Sequence, residues 1–340
     1  MTVRKSFCEV VTAVENALLA NGYSAKSARI LADNCVKAHR DGYISTGLFR
    51  IGDYVSTIKS GYVNGDPTPV IEDVAPGFLR VNADNGFAQI ALDTAKQTLM
   101  RKATQNGIAI LAIRNSHHLS SLYLDIEELA EAGYIAVALA NSIPVVSPPG
   151  GKKGIYGTNP LAFACPRANG APVIFDQSAS VMSHGDVQLA AIEGRKLDWG
   201  SGICKDGNLT DDPNKILNGG AIATFGGHKG ASIALMVEIL CAGLVGADFS
   251  FEVNWNDTPG AKTARTGETI IVIDPSKGDA GRASFSNRIE ALISALLDAG
   301  QSHIPGDRRV RSRQVSSEFL EIDEEAWALI SKMQMLQGTA

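Results

Sequence analysis

The 340-residue chain is poor in the features that assign a protein quickly. Its five cysteines (Cys8, Cys35, Cys165, Cys204 and Cys241) are odd in number and form no Cys-x-x-Cys pair. That argues against a disulfide framework and fits free thiols in a reducing compartment, so a cytoplasmic location is expected. The longest apolar stretches, 135–140 and 233–245, are too short or too interrupted to span a bilayer. The opening Met-Thr-Val-Arg-Lys-Ser-Phe has no apolar run behind its charges, so no secretory signal is expected. The net charge is −5, and no Lys/Arg cluster of nucleic-acid type occurs. The densest basic run, Arg308, Arg309, Arg311 and Arg313, suits a single phosphate and not a duplex.

Generic chemical signatures are missing too. No Gly-x-Gly-x-x-Gly opens a helix, so the usual dinucleotide fingerprint is absent. There is no phosphate-binding P-loop and no Gly-x-Ser-x-Gly nucleophile elbow. No His-Glu-x-x-His or Cys/His spacing suggests a metal, and none is expected.

What is present is an ordinary globular composition, 45% hydrophobic and 20% charged, enough to bury a large core. The first forty residues read as two helices, with Val10, Val11, Val14, Leu18 and Leu19 on one face and Ser24 capping the second. An irregular stretch at 41–47 leads into an amphipathic segment through Ile58. From Gly77 onward strands and helices alternate: strands at 78–81, 108–113, 135–140, 161–164, 172–175 and 269–273, and helices at 90–103, 122–132, 185–193 and 231–245. The continuous apolar run 108–113 reads as a strand buried on both faces, and the alternation suggests a parallel sheet. Residues 141–159 form a long Gly/Pro/Ser-rich connection, and 198–220 is rich in turns. Two helices close the chain, near 289–297 and 323–335, and the two termini are expected to pack together.

Several segments can carry chemistry. Arg114-Asn115-Ser116-His117-His118 follows the apolar strand and precedes a helix, where polar donors suit phosphate; a helix cap with solvated imidazoles is the plainer alternative. Gly226-Gly227-His228-Lys229-Gly230 precedes an apolar helix, so Lys229 and the helix start together make an anion site, or else a glycine-rich turn. Asp176-Gln177-Ser178 can meet ribose hydroxyls or simply form an Asx turn. Gly157-Thr158-Asn159-Pro160 can present a hydroxyl to a substrate or close a turn. Arg50, in the stretch after Ser45-Thr46-Gly47, has the fork that matches a carboxylate, and Asp186 stands in the first turn of a short helix.

Taken together and in order, these segments resemble the non-Rossmann malate/lactate dehydrogenase family. The resemblance rests on Arg-Asn-Ser-His-His at 114–118, Gly-Thr-Asn-Pro-Leu-Ala-Phe-Ala at 157–164, Phe-Asp at 175–176, Phe-Gly-Gly-His-Lys-Gly at 225–230 and Pro-Gly-Asp-Arg-Arg at 305–309. It runs from about Thr12 to Arg313. Within the family, Ser183 to Gln188, Ala234 to Glu238 and Phe249 to Glu252 are most similar to the reductases of Δ1-piperideine-2-carboxylate and Δ1-pyrroline-2-carboxylate. The resemblance implies an α/β fold with a mixed, largely antiparallel, non-Rossmann cofactor-binding sheet, which replaces the parallel sheet suggested by alternation. It also implies a helical region built from both termini (1–75 and 284–340), a dinucleotide-binding part (76–283) and a homodimer.

The same resemblance implies residue roles. NADPH, with NADH as the alternative, would contact His118, Leu119, Ser120, Ser121, Leu122, Asp176, Gln177, Ser178, His228, Lys229, and the segment His303, Ile304, Pro305, Gly306, Asp307, Arg308 and Arg309. Arg50, Thr158 and His117 would bind the substrate. Ser45, Thr46 and Asp186 would occupy the proton-relay positions. At one of these the chain departs from the family: Thr46 stands where the family has a histidine that donates a proton, and a hydroxyl does not titrate near neutral pH. A cyclic iminium arrives with its proton and tolerates that loss, whereas a ketone needs an acid as its oxygen gains charge. The expected activity is therefore reduction of a cyclic imino acid. A 2-oxo-acid reductase using His117, His118 or His184 as its acid is the alternative, and a family member that binds ligand with little turnover is the third.

Overall fold

A computed structural model of the chain describes residues 1–254, 258–278, 280–281, 283–316 and 318–334. At its centre is a seven-stranded sheet in the order Val70–Ala75, Phe78–Phe87, Ile108–His117, Arg265–Ile273, Ile135–Ala140, Leu161–Cys165, Val173–Gln177. Only the pairing of Phe78–Phe87 with Ile108–His117 is parallel; every other pairing in this sheet is antiparallel. The mixed, largely antiparallel sheet implied by the resemblance is thus present, and the parallel sheet suggested by alternation is not. Three antiparallel pairings join strands that follow one another in this sheet, and the other two arise because Arg265–Ile273, from late in the chain, wedges between two earlier strands with reversed direction.

Burial on both faces explains the apolar runs. Ala136, Ala138 and Ala140 join the large core under the helices Ala88–Asn106 and Tyr123–Glu131. Val137 and Leu139, between them, meet Val237 and Cys241 on the other side. The helix His228–Glu238 covers that second face and continues as one π-helical turn, Ile239–Gly243. The sheet holds that turn: the Thr269 hydroxyl donates to the Leu240 carbonyl at 2.7 Å.

The terminal segments differ in detail from expectation. The strand Thr2–Ser6 precedes the two N-terminal helices Phe7–Ala20 and Ala25–Arg40 and pairs antiparallel with Phe319–Asp323. Among the described residues three helices, not two, close the chain: Phe285–Asp298, Asp307–Val315 and Glu324–Gln334. The expected end of the last one at Met335 lies outside the described residues. The turn-rich stretch 198–220 contains two short strands and the helix Pro213–Leu217. One of these strands, Gly202–Ile203, joins Leu209–Thr210, Ala221–Ala223 and Val146–Ser147 in a small sheet, which gives the long 141–159 connection its anchor. No helix among the described residues is long and apolar enough to cross a membrane.

Candidate active site

The central strand runs further than its apolar sequence suggests. Arg114 to His117 do not start a helix; they extend the strand, with Ser116 opposite Thr266 and His117 opposite Arg265. Only at His118 does the chain leave the sheet. His117 is fully buried against the rings of Tyr62 and Phe87, with its Nε2 3.1 Å from Asn85 Oδ1. Burial, aided by Arg265, lowers its pKa to about 3, so it stays neutral. It does not line the cavity described below.

His118 does. Its Nε2 lies 2.8 Å from Asp125 Oδ2, a carboxylate on the helix Tyr123–Glu131. Burial opposes protonation of this ring, but the hydrogen bond and charge of Asp125, with Glu268 and Asp176 behind it, raise its pKa to about 9. It is therefore an imidazolium at neutral pH.

The Ser45–Arg50 stretch reaches the same place through close packing. Two short 3-10 turns, Ile44–Thr46 and Leu48–Arg50, meet at Gly47, where a Cβ would come within 2.8 Å of His39. Only glycine lets the loop lie flat on the helix Ala25–Arg40. Ser45 is buried, 3.5 Å from the Ser183 hydroxyl. Thr46 Oγ1 meets the Ser121 hydroxyl and lies 3.4 Å from the Tyr43 carbonyl. Arg50 is buried, donating from Nη1 to Asp53 at 2.8 Å and to Gln188 at 3.2 Å, while its Nε has no protein acceptor. Gly185 makes room for the guanidinium; a Cβ there would stand 2.4 Å from Arg50 Nη2.

Thr46, Arg50, His118, Leu119, Ser120 and Thr158 line one cavity of about 200 Å³. The fold thus gathers the proposed substrate residues Arg50 and Thr158 beside Thr46 and His118, and leaves His117 outside. Asp186 is exposed in the first turn of the helix His184–Ile192 and does not line the cavity either; its backbone N–H is capped by Ser183 Oγ at 3.0 Å. His184, named from the sequence only as an alternative acid, and Lys262, given no role there, both line the cavity. Burial and the neighbouring Arg50 lower the His184 pKa to about 4, so this imidazole is neutral.

The segments assigned to the dinucleotide converge on the edge strand Val173–Gln177. Asp176 accepts the N–H of Tyr123 at 3.0 Å, which ties it to the turn carrying Ser121 and Leu122. Burial raises the Asp176 pKa to about 6. Ile174 N donates to Pro305 at 3.2 Å and its carbonyl accepts Arg309 at 2.6 Å, so the 303–309 segment lies along the same strand. A second cavity there is lined by Asp176, His303, Gly306, Arg308 and Arg311, beside the start of the helix Asp307–Val315. Arg309 is committed to Ile174 and the Tyr43 hydroxyl, whereas the Arg308 guanidinium lies over the Tyr43 ring. Gln177 is exposed, and the Ser178 hydroxyl turns back to the Ser180 carbonyl at 2.9 Å. The next residue, Ala179, accepts Phe225 N at 3.1 Å, which sets the helix start with exposed His228 and Lys229 against this segment. Arginines, a lysine, a helix N-terminus and a carboxylate along one edge fit the anionic phosphates and ribose hydroxyls of a dinucleotide.

Sequence reasoning missed two acids. Asp125 and Glu268 stand behind His118, and one donor atom from each of the three side chains lies within 4.8 Å of the others. Glu268 is fully buried at the register break between Thr266 and Glu268, and neither carboxyl oxygen has a hydrogen-bond partner. Burial and the neighbouring Asp125 push its pKa well above the usual carboxylate range. The available signal was a glutamate set directly against the apolar strand 269–273.

Known proteins share this sequence pattern and fold. Residues 6–331 match the family model described as malate/L-lactate dehydrogenase. A Δ1-pyrroline-2-carboxylate/Δ1-piperideine-2-carboxylate reductase of Pseudomonas syringae pv. tomato is 48% identical over 308 residues, 91% of this chain and 89% of that protein. The Pseudomonas putida reductase of the same name is 47% identical, covering 93% of this chain and 92% of its own. The crystal structure of Δ1-piperideine-2-carboxylate reductase from P. syringae pv. tomato superposes with a TM-score of 0.93 at 45% identity, covering 98% of this chain and 99% of that one. The chain belongs to the malate/L-lactate dehydrogenase family.

Proposed function

We propose that this protein reduces a cyclic imino acid, Δ1-piperideine-2-carboxylate or Δ1-pyrroline-2-carboxylate, to L-pipecolate or L-proline, with NADPH as the preferred reductant. The observation that carries the reading is the cavity, which is lined by both a buried guanidinium with an unpartnered Nε and a charged imidazole. It is supported by the reductases that are 47–48% identical over nine-tenths of the chain.

Arg50 holds the substrate carboxylate, with Thr158 as a further donor. Asp53 and Gln188 fix the guanidinium, so its fork is set before the ligand arrives. The bound dihydronicotinamide supplies the hydride. When C2 of the iminium gains it, the π electrons settle on nitrogen and a neutral amine forms without a further proton. Thr46 therefore suffices as a hydrogen-bonding wall. Reduction of a 2-oxo acid leaves charge on oxygen instead, and the proton must come from His118. Asp125 keeps that ring charged and oriented, so the acid missing at Thr46 has a substitute on the cavity wall. His228, Lys229 and Arg308 serve the phosphates, and Asp176 serves a ribose hydroxyl.

Homodimerisation and a cytoplasmic location belong to the same proposal. Leu235 and Ile239, one turn apart on the helix beneath the sheet, are about half exposed and offer an apolar contact face. All five cysteines are unpaired. The division into 1–75 with 284–340 against 76–283 is likewise proposed. One apolar cluster joins Val10–Val63 to Leu320–Ile330 while another fills the sheet, although Arg167–Glu290 ties the helix Phe285–Asp298 to the sheet side.

The deciding experiment is steady-state turnover of both imines and of pyruvate with NADPH and with NADH. Turnover of an imine well above pyruvate is expected. Preference for pyruvate would replace this reading with 2-oxo-acid reduction, and no turnover with any pair would leave a ligand-binding protein.

A further inference from the structure

Glu268 presents a problem that the mechanism above does not use. A carboxyl group without a single hydrogen-bond partner, in a site closed to solvent, is costly whichever charge it carries. The fold nevertheless takes trouble to put it there. The register break before Glu268 brings Gly267 so close to the π-helical turn that a Cβ would sit 2.0 Å from the Cys241 carbonyl. The Gly267 N–H is captured by Asn141 Oδ1 at 3.1 Å, which anchors the bulge. Past the bulge, Glu268 stands opposite Ile113 and Ala140, and it shares its buried space with His118 and Asp125.

We propose that Glu268 is a positioning residue for His118: as the uncommitted third member of a buried His118–Asp125–Glu268 cluster, it holds the imidazole in its charged form. The charge count supports this. Asp125 ionised and His118 protonated form a neutral pair at 2.8 Å. An ionised Glu268 beside them would be a third, uncompensated charge, so at neutral pH it holds its proton. When that proton leaves, the new anion attracts the remaining proton on His118 more strongly. The other titratable groups facing the cluster are Asp176, on the edge strand, and the Cys241 thiol, on the π-helical turn. Asp176 favours the charged imidazole, and burial keeps the thiol neutral. The proposal rests on His118 being the proton-holding group of the active site, but its central claim is a titration, readable without turnover.

The test is Glu268→Gln, followed by NMR of a ring-labelled His118 and by the pH profile of kcat/KM. An anion about 5 Å away in an effective dielectric of about 20 shifts a titration by roughly one unit or more. The His118 midpoint and the alkaline limb of kcat/KM for pyruvate should therefore both fall by about one pH unit or more in the variant. An unmoved His118 midpoint overturns the proposal. Should the variant fail to fold, wild-type protein with carbon-13 glutamate settles the matter by infrared spectroscopy. A buried, protonated glutamate carbonyl band should be present at pH 7 and vanish toward alkaline pH; its absence at pH 7 overturns the proposal. Stoichiometric uptake of Zn²⁺ or Mn²⁺ that is lost in Glu268→Gln also overturns it, because the cluster would then be a cation site. Pyruvate turnover by His118→Gln tests the underlying reading separately: if that variant reduces pyruvate as fast as wild type while the titration behaves as stated, the reading of His118 as the acid fails and the cluster stands.

Discussion

His117 ends its strand inside a cage of Tyr62 and Phe87, whereas His118, one residue later, faces Asp125 across a hydrogen bond. Both rings are removed from solvent, and burial alone would make both neutral. The first obeys, with its pKa lowered to about 3; the second is carried to about 9 by its carboxylate neighbours. A pair of imidazoles with adjacent positions and similar burial thus separates into a packing ring and a proton carrier. The difference lies in one helix, Tyr123–Glu131, which brings an anion to one ring and not to the other.

The sharpest way to break this comparison is to remove each ring in turn. His118→Gln should lower kcat/KM for a 2-oxo acid by about 10²–10⁴, the usual worth of a placed general acid, and lower imine reduction less. His117→Gln should act through stability and leave kcat/KM of the folded fraction close to wild type. Equal losses in the two variants, measured on the same substrates, would remove the distinction. Arg50→Lys comes next. A point charge does not reproduce the fork held by Asp53 and Gln188, so the imino-acid KM should rise about tenfold or more while dinucleotide binding holds. A matching loss in dinucleotide affinity, read by fluorescence titration, would make Arg50 a structural residue.

Thr46→His refines the same picture with a smaller effect. A second imidazole beside Ser121 should favour the oxo acid, so the ratio of kcat/KM for imine to that for pyruvate should fall. Because His118 already holds a proton at this wall, the fall should be modest. A rise in the ratio would show that Thr46 marks an impaired enzyme and not one suited to imines.

The smallest effect is on stability, and its sign differs for the two rings. The folded pKa of His118 is raised above the ordinary 6.5, so its contribution is fully present below 6.5 and lost as pH rises through about 9. The folded pKa of His117 is lowered, so its contribution is lost as pH falls from 6.5 toward about 3. Melting temperatures across pH should therefore show a flattened alkaline limb in His118→Gln and a flattened acid limb in His117→Gln. Identical limbs in both variants would contradict the assignment.

How much of this was legible in the sequence depends on which physical signal each residue carries. The run Ile108–Ile113 reads as a buried strand because apolar side chains on both faces demand cover, and the structure supplies it. Strand direction does not read, since a period of two is the same in either direction, and the late strand Arg265–Ile273 inserts antiparallel between two earlier strands. Thr2–Ser6, with Arg and Lys inside it, carries no strand pattern; its pairing with Phe319–Asp323 exists only once the termini meet. The site was legible as separate segments. Arg50 and Thr158 gather at the cavity, but His117 and Asp186 face elsewhere, one turned inward by strand alternation and the other outward by its helix. Asp125 reads only as an acid within the helix at 122–132 and Glu268 only as a flank of the apolar strand 269–273; folding alone brings them to His118.

The segment 303–309 has a consequence unrelated to ligands. Val173–Gln177 is the last strand of the large sheet and would present an unpaired backbone edge, a template for joining another chain. Pro305 and Arg309 occupy both polar groups of Ile174 on that edge, and the proline itself has no N–H with which to extend a ladder. The opposite edge strand, Val70–Ala75, carries Glu72 and Asp73 among its exposed valines. One rim of the sheet is therefore shielded by a cap and the other by charge, and loss of the 303–309 cap should leave the Val173–Gln177 edge open to pairing with another chain.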